Sequence, residues 1–216
     1  MASPSSSSVA TSHWSDDWGR RAPNILTIGR MLAVPVFVVL LINPTPQSSL
    51  WATAIFVIAS VTDWLDGYLA RLYQAESILG KLLDPLADKV LVTAALVMLA
   101  AVPFDPRVPA WMVVVLLSRE LIVTGLRSIA AIRQTVVPAA EWAKHKTAWT
   151  MIAIVFLLIH EPYHVGGMLI DFHFAGMFFL WIALVLSLLS GYAYAIQLRE
   201  IWQATDGPAT EDIRID

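Results

Sequence analysis

The chain has 216 residues, 57% of them hydrophobic and 14% charged, with 9 Trp and no Cys. An ordinary soluble domain is about 45–50% apolar and about 25% charged, so the composition points to a membrane protein. It excludes a disordered chain, a disulfide-stapled domain and any thiolate metal site or cysteine nucleophile, and a formal net charge of −3 gives no general case for nucleic-acid binding.

Residues 1–12 are Ser-rich, lack the basic start and apolar stretch of a secretory signal, and read as a disordered tail. Residues 13–22 hold Trp14 and Trp18 among charges, which suits a segment lying on a membrane surface. A membrane domain over residues 23–202 and a flexible polar tail over 203–216 complete the expected organisation.

Six apolar stretches run approximately over 25–42, 50–69, 79–102, 108–132, 147–159 and 172–196. A crossing helix needs about 20 residues, and the short fifth stretch reaches that by extending backward through Lys144–Lys146. Breakers fill the gaps: Asn43-Pro44-Thr45-Pro46, Pro103 with Pro106 and Pro109, Pro138, and Pro162 with Gly166-Gly167. The expected fold is therefore all-α and integral to a membrane, with six transmembrane helices. With the N-terminus inside, every Lys and Arg of the 14 except Arg107 falls on the inner side, which puts both termini in the cytoplasm.

The second and third stretches carry Asp63, Asp66, Asp84 and Asp88. Carboxylates in a membrane are expensive and mark functional sites. Asp63 and Asp66 are three apart and Asp84 and Asp88 four apart, so each pair shares a helix face. A helical hairpin turning near Ala75 sets Asp66 opposite Asp84 and Asp63 opposite Asp88. Four such acids need cations to stay ionised together, and carboxylate oxygens suit hard ions such as Mg²⁺ or Mn²⁺. Two such ions are a known device for phosphoryl displacement. Gly67, Ala70 and Gly80 let backbones and a substrate approach closely, and Arg71 offers a fixed cation to a diphosphate. Two other readings of the acids are helix-end salt bridges with Arg71, Lys81 and Lys89, or an ion or proton pathway.

The string Asp63-x2-Asp66-Gly67-x2-Ala70-Arg71-x8-Gly80-x3-Asp84-x3-Asp88 resembles the signature of the CDP-alcohol phosphotransferase family at every position. The resemblance covers roughly residues 23–198 and implies a six-helix membrane enzyme with a polar cavity open to the cytoplasm. The implied reaction is attack of an alcohol hydroxyl on the β-phosphorus of a CDP-linked substrate, with CMP leaving. It also implies that Asp63, Asp66 and Asp84 are ligands of two metal ions, with Asp88 a ligand or the general base.

Two further groups bear on the substrate. Asn24, Thr27 and Arg30 lie three apart on the first helix, on one face, and Arg30 inside an apolar run should face protein or ligand. A cap by Asn24 with a snorkelling Arg30 is the simpler reading of the same residues. Arg119, Arg127, Lys144 and Lys146 form a cationic set suited to a phosphorylated acceptor. The strings around them, Ser118-Arg119-Glu120 and Lys144-His145-Lys146-Thr147, resemble the phosphatidylglycerophosphate synthase branch of the family, although Ala143 stands where that branch would have Gly. The resemblance implies CDP-diacylglycerol as donor, with Asn24, Thr27, Arg30, Gly67, Ala70, Arg71 and Gly80 at its site. It implies sn-glycerol 3-phosphate as acceptor, with Arg119, Arg127, Lys144 and Lys146 on its phosphate. It further implies a homodimer in a bacterial-type inner membrane. Acceptors of cardiolipin, serine or inositol phosphate chemistry are the alternative within the family, and an ion-coupled carrier the alternative outside it.

His160-Glu161-Pro162-Tyr163-His164 fits His-Glu-x-x-His, a zinc-protease pattern that works only on a continuous helix. Pro162 argues against that helix, and the segment reads as a polar loop.

Overall fold

A computed structural model describes residues 28–73, 78–132 and 142–205, with side chains described throughout these spans except at 64–73, 78–88, 142–144, 165, 168 and 204–205. The disordered tail, the interfacial segment, Asn24, Thr27, the turn near Ala75 and the end of the polar tail lie outside the described residues. The helices are α1 (Ile28–Ile42), α2 (Pro46–Tyr73), α3 (Ile78–Ala101), α4 (Ala110–Ile132), α5 (Trp142–Ile159) and α6 (Phe172–Thr205). The described chain is thus mostly helical, as the composition and spacing lead one to expect. Among the described residues one helix, over Phe172–Gln203, is long and apolar enough by itself to cross a membrane.

The sequence starts and stops these helices by identifiable chemistry. At the head of α2 the Thr45 N–H donates to Ser48 Oγ (2.8 Å) and the Ser48 N–H donates to Thr45 Oγ1 (3.1 Å), a reciprocal cap, and Pro46 takes the first helical position. Asp171 caps α6 by accepting from the Phe174 N–H at 2.9 Å. Several hydroxyls within the apolar helices bond to the turn before them: Thr53 Oγ1 donates to the Ser49 carbonyl, Thr62 to Ile58 and Thr150 to Lys146. Helix α5 does extend backward past Lys144, while α2 starts four residues before its apolar stretch and α6 runs nine residues beyond its own. Helices outrun hydropathy because polar residues near a helix end keep their backbone bonds.

Between α5 and α6 lies the one departure from an all-α chain among the described residues. Strands β1 (Tyr163–Val165) and β2 (Met168–Ile170) pair antiparallel, Val165 opposite Met168. Gly166 and Gly167 have φ of 60° and 86°, the positive pair that a two-residue turn matched to strand twist requires. The sequence reading took this segment as a loop, and the Gly-Gly pair closes it into a hairpin instead.

The chain divides into two compact units. One holds α1, α2, α3 and Leu158–Glu161; the other holds Pro106–Leu157 and the chain from Pro162 onward. In the first, Phe37 and Leu41 of α1 and Ala52, Phe56 and Ala59 of α2 are buried, with Leu91, Ala95, Leu96 and Leu99 of α3. Phe37 meets Phe56 with ring centroids 6.3 Å apart. Seven residues back along α1, Arg30 meets Asp63, seven residues forward along α2, so the two helices form an antiparallel hairpin.

In the second unit α4 and α6 run parallel. Trp111 meets Trp181, Arg119 meets Ser187 and Ser190, and Arg127 lies over Tyr194. Val123, Ala130, Tyr194 and Leu198 form their buried seam. Helix α5 runs against α6 in the opposite sense, with Phe156 near Phe172 and Trp149 near Phe179. Gly176 admits the closest approach: a Cβ there would stand 2.9 Å from the Leu157 backbone nitrogen. Large apolar side chains also face outward, among them Leu121, Ile132, Phe174, Phe178 and Tyr192. An apolar exterior of this extent is what a lipid-facing surface looks like.

Candidate active site: a carboxylate helix pair and a cation cluster

The motif residues divide between two helices. Asp63, Asp66, Gly67, Ala70 and Arg71 are on α2, and Gly80, Asp84 and Asp88 are on α3. The helical backbone puts positions 63 and 66 on one face of α2, and 84 and 88 on one face of α3. Helices α2 and α3 touch within the first unit. Beyond Asp63, the side chains of these residues lie outside the described ones.

Asp63 has a protein partner that spacing alone does not reveal. Arg30 of α1 reaches across the hairpin, and its Nη1 is ion-paired with Asp63 Oδ1. The Arg30 side chain is 1% exposed and that of Asp63 27%. A buried guanidinium needs such a carboxylate, because an unpaired charge in an apolar interior is prohibitively costly. Arg30 therefore faces protein at this point, and through its partner it belongs to the carboxylate group. Asn24 and Thr27, its expected companions, lie outside the described residues.

The donor set suits a hard divalent cation. It consists of carboxylates alone, and a carboxylate with four lone-pair positions accepts a guanidinium and still has capacity for a metal. Among the described residues no group of three His, Asp or Glu side chains stands together. The His-Glu-x-x-His pattern does not form a helical site: α5 ends at Ile159, His160 has φ 56°, and His164 lies on β1. His160 instead stacks on Phe104, centroids 4.2 Å apart, beside a cavity of about 340 Å³ that Asn43, Thr45, Ser49 and Glu161 also line.

The expected acceptor residues fall in the second unit. Arg119 and Arg127 are on α4, Lys144 and Lys146 on α5, with the Lys144 side chain outside the described residues. Arg119 and Lys146 converge on one atom, Glu120 Oε2, with Arg119 Nη1 at 3.0 Å. Arg119 is also anchored on α6: its Nε donates to the Ser187 carbonyl and its Nη2 to Ser190 Oγ, both at 2.8 Å. Gly191 makes room for this, since a Cβ there would stand 3.0 Å from Arg119 Nε. Arg127 is separate from this cluster of bonds and lies 5.5 Å over the Tyr194 ring, a cation–π distance. Sequence reasoning missed Ser187, Ser190 and Gly191. Their signal was present as small polar residues three and four apart in the long apolar run of α6.

Comparison with known proteins adds the family. The family model described as CDP-alcohol phosphatidyltransferase matches residues 20–189. A protein of Bacillus subtilis (strain 168) named CDP-diacylglycerol–glycerol-3-phosphate 3-phosphatidyltransferase is 41% identical over 185 residues, covering 80% of this chain and 92% of its own length. Proteins of the same name from Rickettsia bellii and Pseudomonas fluorescens are each 37% identical. They cover 80% and 74% of this chain, and 92% and 84% of their own lengths.

Proposed function

The chain belongs to the CDP-alcohol phosphatidyltransferase family, and we propose that it transfers the phosphatidyl group of CDP-diacylglycerol to sn-glycerol 3-phosphate. The products are phosphatidylglycerophosphate and CMP. The observation that carries this reading is the eight-position motif, set on two touching helices and closed on one side by the Arg30–Asp63 pair. The name shared by relatives that match most of the chain supports the choice of acceptor.

In this reading a hydroxyl of the acceptor attacks the β-phosphorus of the donor. The new P–O bond forms as the bond to the bridging oxygen breaks, and CMP leaves with that oxygen. Asp88 takes the hydroxyl proton, or shares that role with metal ligation. Asp63, Asp66, Asp84 and Asp88 would hold two divalent ions, Mg²⁺ or Mn²⁺, which supply neutralisation of the charge on the transferring group. Arg30 keeps Asp63 in position. Arg71, Asn24, Thr27, Gly67, Ala70 and Gly80 accommodate the donor diphosphate and backbone. Arg127, Lys144 and Lys146, with Arg119 behind them, take the acceptor phosphate.

The finer architecture is part of the same proposal: six crossings, both termini and the catalytic cavity on the cytoplasmic side, and a homodimer. The antiparallel α1–α2 pair, and α5 running against two parallel neighbours in sequence, suit a chain that reverses at each connection. Because the native chain lacks cysteine, a single cysteine at Tyr163 reports topology cleanly. Labelling from outside the cell is expected, and labelling only from the cytoplasm would refute the topology.

The deciding assay incubates purified protein with CDP-diacylglycerol, Mg²⁺ or Mn²⁺, and glycerol 3-phosphate, serine, inositol phosphate or phosphatidylglycerol. CMP release is expected with glycerol 3-phosphate. Release with another acceptor instead overturns the acceptor assignment, and release with none overturns the transferase.

A further inference from the structure

Two half-buried cations sharing one carboxylate oxygen is an unusual arrangement for a phosphate-binding site, because the site is occupied by an anion of the protein's own. Arg119 and Lys146 both bond to Glu120 Oε2. Their side chains are 10% and 14% exposed, whereas that of Glu120 is 39% exposed. The carboxylate is therefore the open member of the cluster, and an incoming anion meets it before it meets either cation.

The two cations are held differently. Arg119 is fixed to α6 through Ser187 and Ser190 in the groove at Gly191, so each of its three nitrogens is already engaged. Lys146, on α5, reaches Glu120 with a flexible ammonium stem. Exchange of partner is thus easy for Lys146 and hard for Arg119. Arg119 orients Glu120, and Glu120 holds Lys146. The trio carries one net positive charge. A phosphate monoester, with close to two negative charges at neutral pH, outbids a single carboxylate for such a place.

Resting on the acceptor assignment made above, we propose that Glu120 is a positioning residue that stands in for the acceptor phosphate, holding Lys146 until the phosphate displaces it. Arg119 acts behind it as a structural anchor of the subsite. The exchange makes acceptor selection a competition. A phosphomonoester opens the Glu120–Lys146 pair, while an uncharged alcohol has nothing to offer Lys146 in return.

The test is Glu120→Gln in the full-length protein. The amide oxygen still accepts from Lys146 and Arg119, so the geometry is kept while the competing charge goes. The KM for glycerol 3-phosphate should fall by about three- to tenfold, because the Lys146 ammonium leaves a neutral amide oxygen more readily than a carboxylate. Inhibition by inorganic phosphate should strengthen by a similar factor. The kcat and the KM for CDP-diacylglycerol should stay within about twofold. A purely structural role would instead lower kcat or affect both substrates. Glu120→Asp, which shortens the reach of the carboxylate, should shift the glycerol 3-phosphate KM in the same direction by less, and it decides the matter where the Gln variant does not fold. An unchanged or raised glycerol 3-phosphate KM overturns the stand-in role. If the wild type does not turn over glycerol 3-phosphate at all, the acceptor assignment itself fails, and the two failures are told apart by that control.

Discussion

The Arg30–Asp63 pair of the first unit and the Arg119–Glu120–Lys146 cluster of the second use the same parts to opposite ends. In both, an arginine, buried in the first and half-buried in the second, holds a carboxylate that is the more open partner. The difference is the charge left over. Along with Asp63 the motif sets three more carboxylates on α2 and α3, a negative surplus that the proposed function meets with metal cations. Around Glu120 the surplus is positive, two cations to one carboxylate, and the proposed function meets it with the acceptor's phosphate. A buried ion pair contributes little net stability of its own. In the proposed function its use in both places is to fix an open oxygen, with the residual sign of each cluster matched to the ligand.

The largest test of this contrast is removal of a motif carboxylate. Asp66→Ala or Asp84→Ala should lower turnover on the order of a thousandfold, since several kcal/mol of charge stabilisation are lost at about 1.4 kcal/mol per tenfold. EDTA should do the same to the wild type, reversed by Mg²⁺ or Mn²⁺. Full CMP release in EDTA would end the metal account.

Next comes Arg30→Ala. It strands Asp63 without its buried partner, and breaking such a pair costs about 3–5 kcal/mol. Thermal unfolding in detergent should show a clear loss. The metal concentration needed for half-maximal activity should change, while the glycerol 3-phosphate KM should not. A shift in the acceptor KM alone would mean that the two clusters have been assigned the wrong ligands.

The two close-approach glycines of α6 make a smaller, paired test. Added methyl groups in packed interiors cost about 1–3 kcal/mol. Gly176→Ala should fall toward the upper end, because the clash includes backbone, the Leu157 nitrogen at 2.9 Å. Gly191→Ala meets the Arg119 side chain at 3.0 Å, which gives a little. It should cost less stability yet raise the KM for glycerol 3-phosphate. Equal effects on acceptor affinity from both variants would detach Arg119 from the acceptor site. Smallest of all, Arg107→Ala in the exposed α3–α4 connection should stay within about 0.5 kcal/mol of wild type and leave both KM values alone.

Much of this was legible along the chain. Apolar runs and prolines located the helices, because hydropathy and backbone chemistry act locally, although α6 runs nine residues past its apolar stretch. Thr45-Pro46 and Asp171 began α2 and α6 for the same reason. The eight-position string from Asp63 to Asp88 carried the resemblance to the family, while the helical period showed only that Asp63 shares a face with Asp66 and Asp84 with Asp88. The Gly166-Gly167 turn was visible as a breaker but not as a hairpin, since two three-residue strands leave too little alternation to read.

Partnerships are what tertiary structure decided. Helical spacing says which residues share a face, and nothing about what that face meets. That Arg30 meets Asp63 depends on the α1–α2 register. That Arg119 reaches Ser187 and Ser190 depends on α4 lying parallel to a helix some 70 residues away. Its four-cation set therefore looked uniform in the sequence, yet in the fold Arg119 is an anchored residue, Arg127 lies on an aromatic ring and Lys146 is paired with Glu120. Charge and residue type are properties of the chain, but a charge in an apolar interior must be compensated, and only packing determines by which neighbour.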